Sequence, residues 1–72
     1  MTLRISARNQ LQATVKSVTL GSIMAEVVLD VGNGQEVVSA ITRTSAESLS
    51  LKAGDKVVAI IKSTEVMVGK EE

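Results

Sequence analysis

Two runs of strict alternation, joined by "GNGQ" at residues 32–35, constrain this chain more than any other feature. Before the turn, Ile23, Ala25, Val27, Leu29 and Val31 share one face, with Met24, Glu26, Val28 and Asp30 on the other. After it, Val37, Ser39 and Ile41 oppose Val38, Ala40 and Thr42. A period of two is the period of a strand. Asn and Gly tolerate the positive φ that tight hairpin turns demand, so the two runs predict a β-hairpin. Upstream, Leu11, Ala13 and Val15 alternate with Gln12, Thr14 and Lys16, but after Ser17 the apolar positions move to Val18 and Leu20. A slip of one residue within a strand predicts a bulge or a sharp bend. Gly21 and Ser22 then supply a turn.

The alternation stops at "TSAESLSL", residues 44–51. Thr44 followed by Glu47 fits a capping box, which predicts a short helix over about residues 45–49. "KAGDK" reads as a turn. Residues 57–61 are apolar at every position, as in a strand covered on both faces. Lys62, Ser63 and Thr64 interrupt, and Val66, Met67 and Val68 are expected to form a short last strand before the polar tail "GKEE". The expected fold is all-β with one short helix. Three strands, a helix and two further strands, the first of them bent, suit a five-stranded barrel of the oligonucleotide/oligosaccharide-binding (OB) type. One domain is expected over residues 1–72, with an ordered core over about 3–69 and a tail at 70–72.

The chain has 72 residues, no Cys, no His and no Phe, Tyr or Trp, yet 44% of it is hydrophobic. Its core must therefore come from aliphatic side chains alone. Without Cys or His there is no disulfide, no thiolate or imidazole metal ligand and no usual general base. Catalysis would fall to carboxylates or lysines, but Asp30, Glu36, Glu47, Asp55 and Glu65 show no paired spacing. No enzyme, no cofactor and no directly bound metal cation are expected. Eight basic residues balance eight acidic ones. Single-stranded nucleic acid is bound through stacking aromatics and a basic groove; both are missing here, so no nucleic-acid partner is expected. No stretch of 18 apolar residues occurs, and "MTLRIS" lacks the apolar core of a signal peptide. A soluble, cytoplasmic protein is expected.

Apolar residues on both faces of the second, third and fourth strands exceed what the inside of one small barrel can hold. The excess predicts an oligomer of identical chains with core-like interfaces.

One group of residues stands apart from the packing pattern. Ser6 and Arg8 lie two apart, so an extended backbone would present both on one face. Lys62 and Ser63 follow the most apolar strand, and Thr42 and Thr44 flank the helix entry, with Thr64 a further hydroxyl. Hydroxyls, a guanidinium, an ammonium and free backbone N–H groups together suit a small tetrahedral oxyanion. By spacing alone the plainer reading is favoured: Arg8 and Lys62 as solvated strand ends, with Ser6 and Ser63 satisfying nearby backbone.

Three stretches bear on that choice: "ISARNQL" near the start, "AEVVLDVGNGQEVVS" in the middle and "AIIKSTEVMVG" near the end. With them the chain resembles the molbindin (Mop) family over about residues 3–69. "SARN" together with a later "IIKSTEVM" is the specific pair; either alone is weak. The resemblance implies a homohexamer, a trimer of dimers, that stores or buffers molybdate, or tungstate, at subunit interfaces. It implies that Ser6, Arg8, Lys62 and Ser63 line the main oxyanion site, with Asn9 ordering the stretch and Ala7 offering its backbone N–H. Thr42, Thr44 and Thr64 are weaker candidates. A module of the same fold without ligand, or a carrier of molybdopterin, is the alternative. Against the pterin, whose ring an aromatic or a carboxylate would usually pair, stands the lack of any clear pocket for it.

Overall fold

The computed structural model describes residues 4–72; the expected start of the core at about residue 3 lies outside them. In chain order the elements are β1 (Asn9–Leu20), β2 (Met24–Gly32), β3 (Gln35–Thr42), α1 (Arg43–Ser48) and β4 (Lys56–Ile61), followed by a 3₁₀ turn, Ser63–Glu65. The strands form one antiparallel sheet in the order β3-β2-β1-β4.

The "GNGQ" hairpin forms as its sequence demands. Gly32 pairs with Gln35, and both central residues have positive φ, 55° at Asn33 and 73° at Gly34. That is the signature of the type I′ turn, whose twist matches that of the flanking strands. The Asp30 carboxylate accepts the Gly32 N–H at 2.8 Å beside a bulge at Val31.

β1 organises the sheet. Its residues 9–14 pair with β4 and its residues 14–20 with β2, so Thr14 faces Asp30 on one side and Lys56 on the other. The register shifts between Val15 and Ser17, which makes Lys16 the extra residue of a bulge. The slip expected after Ser17 thus occurs one position earlier. Val15 turns its backbone to the loop before β4: its N–H donates to the Asp55 carbonyl at 2.9 Å, and its own carbonyl accepts from Gly54 N–H at 2.8 Å.

α1 begins earlier than its sequence suggests. Its cap is Thr42, not Thr44: the Thr42 Oγ1 accepts the Ser45 N–H at 3.0 Å and donates to Ser45 Oγ at 2.7 Å. The short hydroxyl side chain satisfies a backbone donor that a helix start leaves unpaired. Ala46 is the residue that α1 buries.

The buried apolar residues are Ala13, Val15, Ala25, Val27, Leu29, Ala46 and Ala59. Four of these are alanines, so the core is thin. Meanwhile Ile23 (72% exposed), Val38 (61%) and Leu49 (66%) face outward, as does Ile60. Ile23 therefore precedes the inward face of β2 instead of starting it, and β4 is not covered on both faces within one chain. The radius of gyration is 13.1 Å, against roughly 11 Å for a compact domain of this length. The sheet is open, with β3 and β4 as its edges.

The expected strand number is corrected here. Among the described residues the sheet has four strands, not five: Val66, Met67 and Val68 carry no strand pairing, and Met67 and Val68 are more than 90% exposed. Such a short segment needs an edge to pair with, and the described residues fold none against it. Residues 62–64 interrupt β4: Lys62 keeps extended backbone, and Ser63 and Thr64 enter the 3₁₀ turn, so neither alternates across a sheet face.

Candidate functional site

The ladder between β1 and β4 begins at Asn9 opposite Ile61. Residues 6–8 lead into that pair and residues 62–64 lead out of it. The antiparallel register therefore brings "SARN" and "IKST", more than fifty positions apart in the chain, to the same end of the sheet. Lys62 keeps extended backbone (φ −66°, ψ 138°) and caps the 3₁₀ turn, which is closed by the Glu65 N–H donating to the Lys62 carbonyl at 2.9 Å.

Ser6, Arg8, Lys62, Ser63 and Thr64 are exposed, while Ala7 and Asn9 are half-buried. Among the described residues, no side-chain hydrogen bond or ion pair engages Ser6, Arg8, Asn9, Lys62 or Ser63. Arg4 and Lys70 are likewise unengaged among the described residues, whereas the cations within the folded body, Lys16, Arg43, Lys52 and Lys56, are paired. Lys16 pairs with Glu36, and the hydrogen bond to that carboxylate raises the lysine above its ordinary value. Arg43 donates to Glu47 at 3.1 Å and to the Gly21 carbonyl at 3.2 Å. Lys56 donates to Thr14 Oγ1 at 3.0 Å. The Lys52 backbone N–H, at 3.0 Å, and then its ammonium, hold Asp55 below the ordinary aspartate range.

The weaker candidates fare differently. Thr42 closes β3, whose pairing with Met24 places it near the C-terminal end of β1, the twelve-residue strand that separates it from Asn9. Its hydroxyl is occupied by the cap. Thr44 follows it on α1, so within one chain neither joins Ser6 and Arg8. Thr64 does lie with Lys62 and Ser63.

One residue that sequence reasoning missed belongs to this end of the sheet. Gln10 Nε2 donates to the Ala7 carbonyl at 2.7 Å, whereas Asn9 makes no side-chain bond among the described residues. The signal available in the sequence was a long amide side chain three positions after Ala7, and it is a faint one.

The larger surface grooves lie elsewhere. One of about 420 Å³ runs along Gln12, Thr14, Asp30 and Lys56, and another of about 610 Å³ along Leu49, Leu51, Val57, Val58 and Ile60. The first mixes carboxylate with ammonium, and the second is mostly apolar. An exposed donor cluster at the sheet end is thus distinct from both. Among the described residues no three His, Cys, Asp or Glu side chains gather as a cation site.

The TOBE domain model matches residues 5–68. Molybdenum-pterin-binding protein 3 of Clostridium pasteurianum is 47% identical over 66 residues, which cover 92% of this chain and 97% of that protein. A molybdate-binding protein from Sporomusa ovata superposes with a TM-score of 0.88 at 48% identity, covering 94% of this chain and all of the other. The cytoplasmic molybdate-binding protein ModG, solved with molybdate bound, gives a TM-score of 0.80 at 41% identity, over 85% of this chain and 43% of ModG. The match runs through both "SARN" and "IKST" and through the bulged β1 that aligns them, and the chain belongs to the TOBE-domain family, among the molbindins.

Proposed function

We propose that this chain binds molybdate, or tungstate, through donors gathered at the end of the β1–β4 pair, and that its role is to store or buffer the oxyanion in the cytoplasm without catalysis. The observation that carries this reading is the Asn9–Ile61 register, which draws Ser6, Arg8, Lys62 and Ser63 to one place with their side chains unengaged among the described residues. Arg8 and Lys62 supply charge, Ser6 and Ser63 supply hydroxyls, and the Ala7 and Arg8 peptides supply N–H groups. The relatives' names, molybdate-binding and molybdenum-pterin-binding, support the ligand class.

The site is completed in a homo-oligomer, six chains arranged as a trimer of dimers. An exposed cluster leaves a bound dianion in water, where each hydrogen bond competes with solvent. Covering it by another chain makes the same donors worth more. The exposed apolar faces at Val38, Leu49 and Ile60 and the unpaired segment at Val66, Met67 and Val68 supply surface for that assembly. A second reading, a pterin carrier, is favoured by the word "pterin" in the relatives' names.

Calorimetric titration of the native protein with molybdate, sulfate and a free pterin tests both. The oxyanion reading expects saturable binding of molybdate, far weaker binding of sulfate and none of the pterin. No heat with molybdate, measured on assembled protein, overturns it; saturable pterin binding selects the carrier.

A further inference from the structure

We infer that Gln10 is a positioning residue for the oxyanion: it pins the Ala7–Arg8 peptide so that the Arg8 N–H faces the bound anion and the Ala7 carbonyl is turned away. This rests on the oxyanion reading above. The contact itself is direct, Gln10 Nε2 donating to the Ala7 carbonyl oxygen at 2.7 Å. A trans peptide is planar, and its C=O and N–H point in opposite directions. Fixing the Ala7 carbonyl therefore fixes the direction of the Arg8 N–H.

The chemistry of the anion makes that direction matter. Residues 6–8 precede β1 and carry no ladder bonds of their own, so nothing in the sheet sets their peptide planes. A peptide free to rotate presents its carbonyl as readily as its N–H, and a carbonyl repels an oxyanion. Gln10 is anchored where Ala7 is not, since it sits inside β1 opposite Ile60. Its amide therefore transfers the order of the ladder to the segment outside it. Asn9, one residue nearer, makes no such bond among the described residues.

The test compares the native protein with Gln10→Met, which keeps the length of the side chain and lacks the donor, and Gln10→Asn, which keeps the amide but is one methylene short of Ala7. Gln12→Met, two residues along β1, is the control. Molybdate affinity is measured by calorimetry, and the order of the Ala7–Arg8 peptide in the ligand-free protein is followed by 15N relaxation of the Arg8 amide. Losing one such bond corresponds to roughly a three- to tenfold weaker affinity. Both Gln10 variants are expected to show that loss together with a lower Arg8 order parameter, with native mass unchanged and with Gln12→Met like the native protein. Native affinity in Gln10→Met overturns the inference and leaves the oxyanion reading intact. A loss of affinity with the Arg8 order parameter unaltered also overturns it, because Gln10 would then touch the anion itself. If the native protein binds no molybdate, the underlying reading fails first.

Discussion

Thr42 decides between two uses of one hydroxyl, so Thr42→Ala is the most informative single change. In the structure its Oγ1 accepts the Ser45 N–H at 3.0 Å and donates to Ser45 Oγ at 2.7 Å. The helix it starts has six residues, far too few to persist alone. Removing an N-cap hydroxyl costs about 1 kcal/mol, with a range of roughly 0.5–2. The upper part of that range is expected here, because α1 delivers Ala46, 3% exposed, to the core. Thr42→Ser keeps the oxygen and should recover most of the loss. Urea denaturation followed by circular dichroism at fixed protein concentration measures this, since the chain has no aromatic fluorophore. An unchanged slope with a lower midpoint is expected. Molybdate affinity of the still-folded variant should equal that of the native protein, because β1 separates Thr42 from Asn9. An unchanged midpoint would refute the cap. Weakened binding in Thr42→Ala at native stability would show that a neighbouring chain brings Thr42 to the anion after all.

Three further outcomes follow from the same structure. Arg8→Ala should weaken molybdate binding at least tenfold in calorimetry, one charge-assisted bond being worth roughly 1.5–3 kcal/mol, whereas Lys16→Ala loses only an exposed pair with Glu36 and should bind normally; equal affinities would count against the site. Light scattering should give several times 7.6 kDa, six chains being expected, and a monomer at micromolar concentration would sink the proposed assembly. Asp55 is held below its ordinary value of 3.8 by Lys52, so its stabilising contribution is complete above the unfolded value and is lost as pH falls through the lower folded one; Asp55→Asn should flatten the acid limb of a stability–pH curve below about pH 4, and a limb as steep as the native one would remove Asp55 from that role.

How much of this was legible in the sequence depends on how local each signal is. The hairpin was legible because Asn33 and Gly34 sit between two runs whose period is unambiguous. The bulge was legible to within one residue, since Val15 and Val18 cannot share a face without it. Thr42 was harder: Thr44 and Glu47 match the capping-box pattern, whereas Ser45 stands three residues after Thr42, and the end of β3 settles which threonine starts the helix. The segment at residues 66–68 misled because β-branched alternation states that a strand is possible and not which edge it pairs with. The interruption at "IKST" was legible, but not its 3₁₀ form, because a turn of three residues carries no period. "SARN" and "IKST" had no local link at all; their meeting is a product of the Asn9–Ile61 register, which only a non-local pairing fixes.

That register also bears on selectivity. Every peptide carries a donor and an acceptor, so a pocket built partly from backbone becomes donor-only when its carbonyls are occupied elsewhere. At the end of the β1–β4 pair three are: Gln10 engages the Ala7 carbonyl, the Glu65 N–H that of Lys62, and the Val66 N–H that of Ser63. What the proposed site offers beside them is the Ala7 and Arg8 N–H groups, hydroxyls that rotate to donate, and two cations. A fully ionised dianion such as molybdate matches that set. Singly protonated phosphate matches it less well, because its own O–H meets fewer acceptors where these carbonyls are taken, and a buried, unmatched donor costs about 1–3 kcal/mol. Sulfate matches in charge and must be refused by size, which demands that the donors hold their spacing when the smaller ion enters. The bonds that take these carbonyls out of the proposed site also keep their peptides from turning, so rejection of phosphate and rejection of sulfate there share one structural cause.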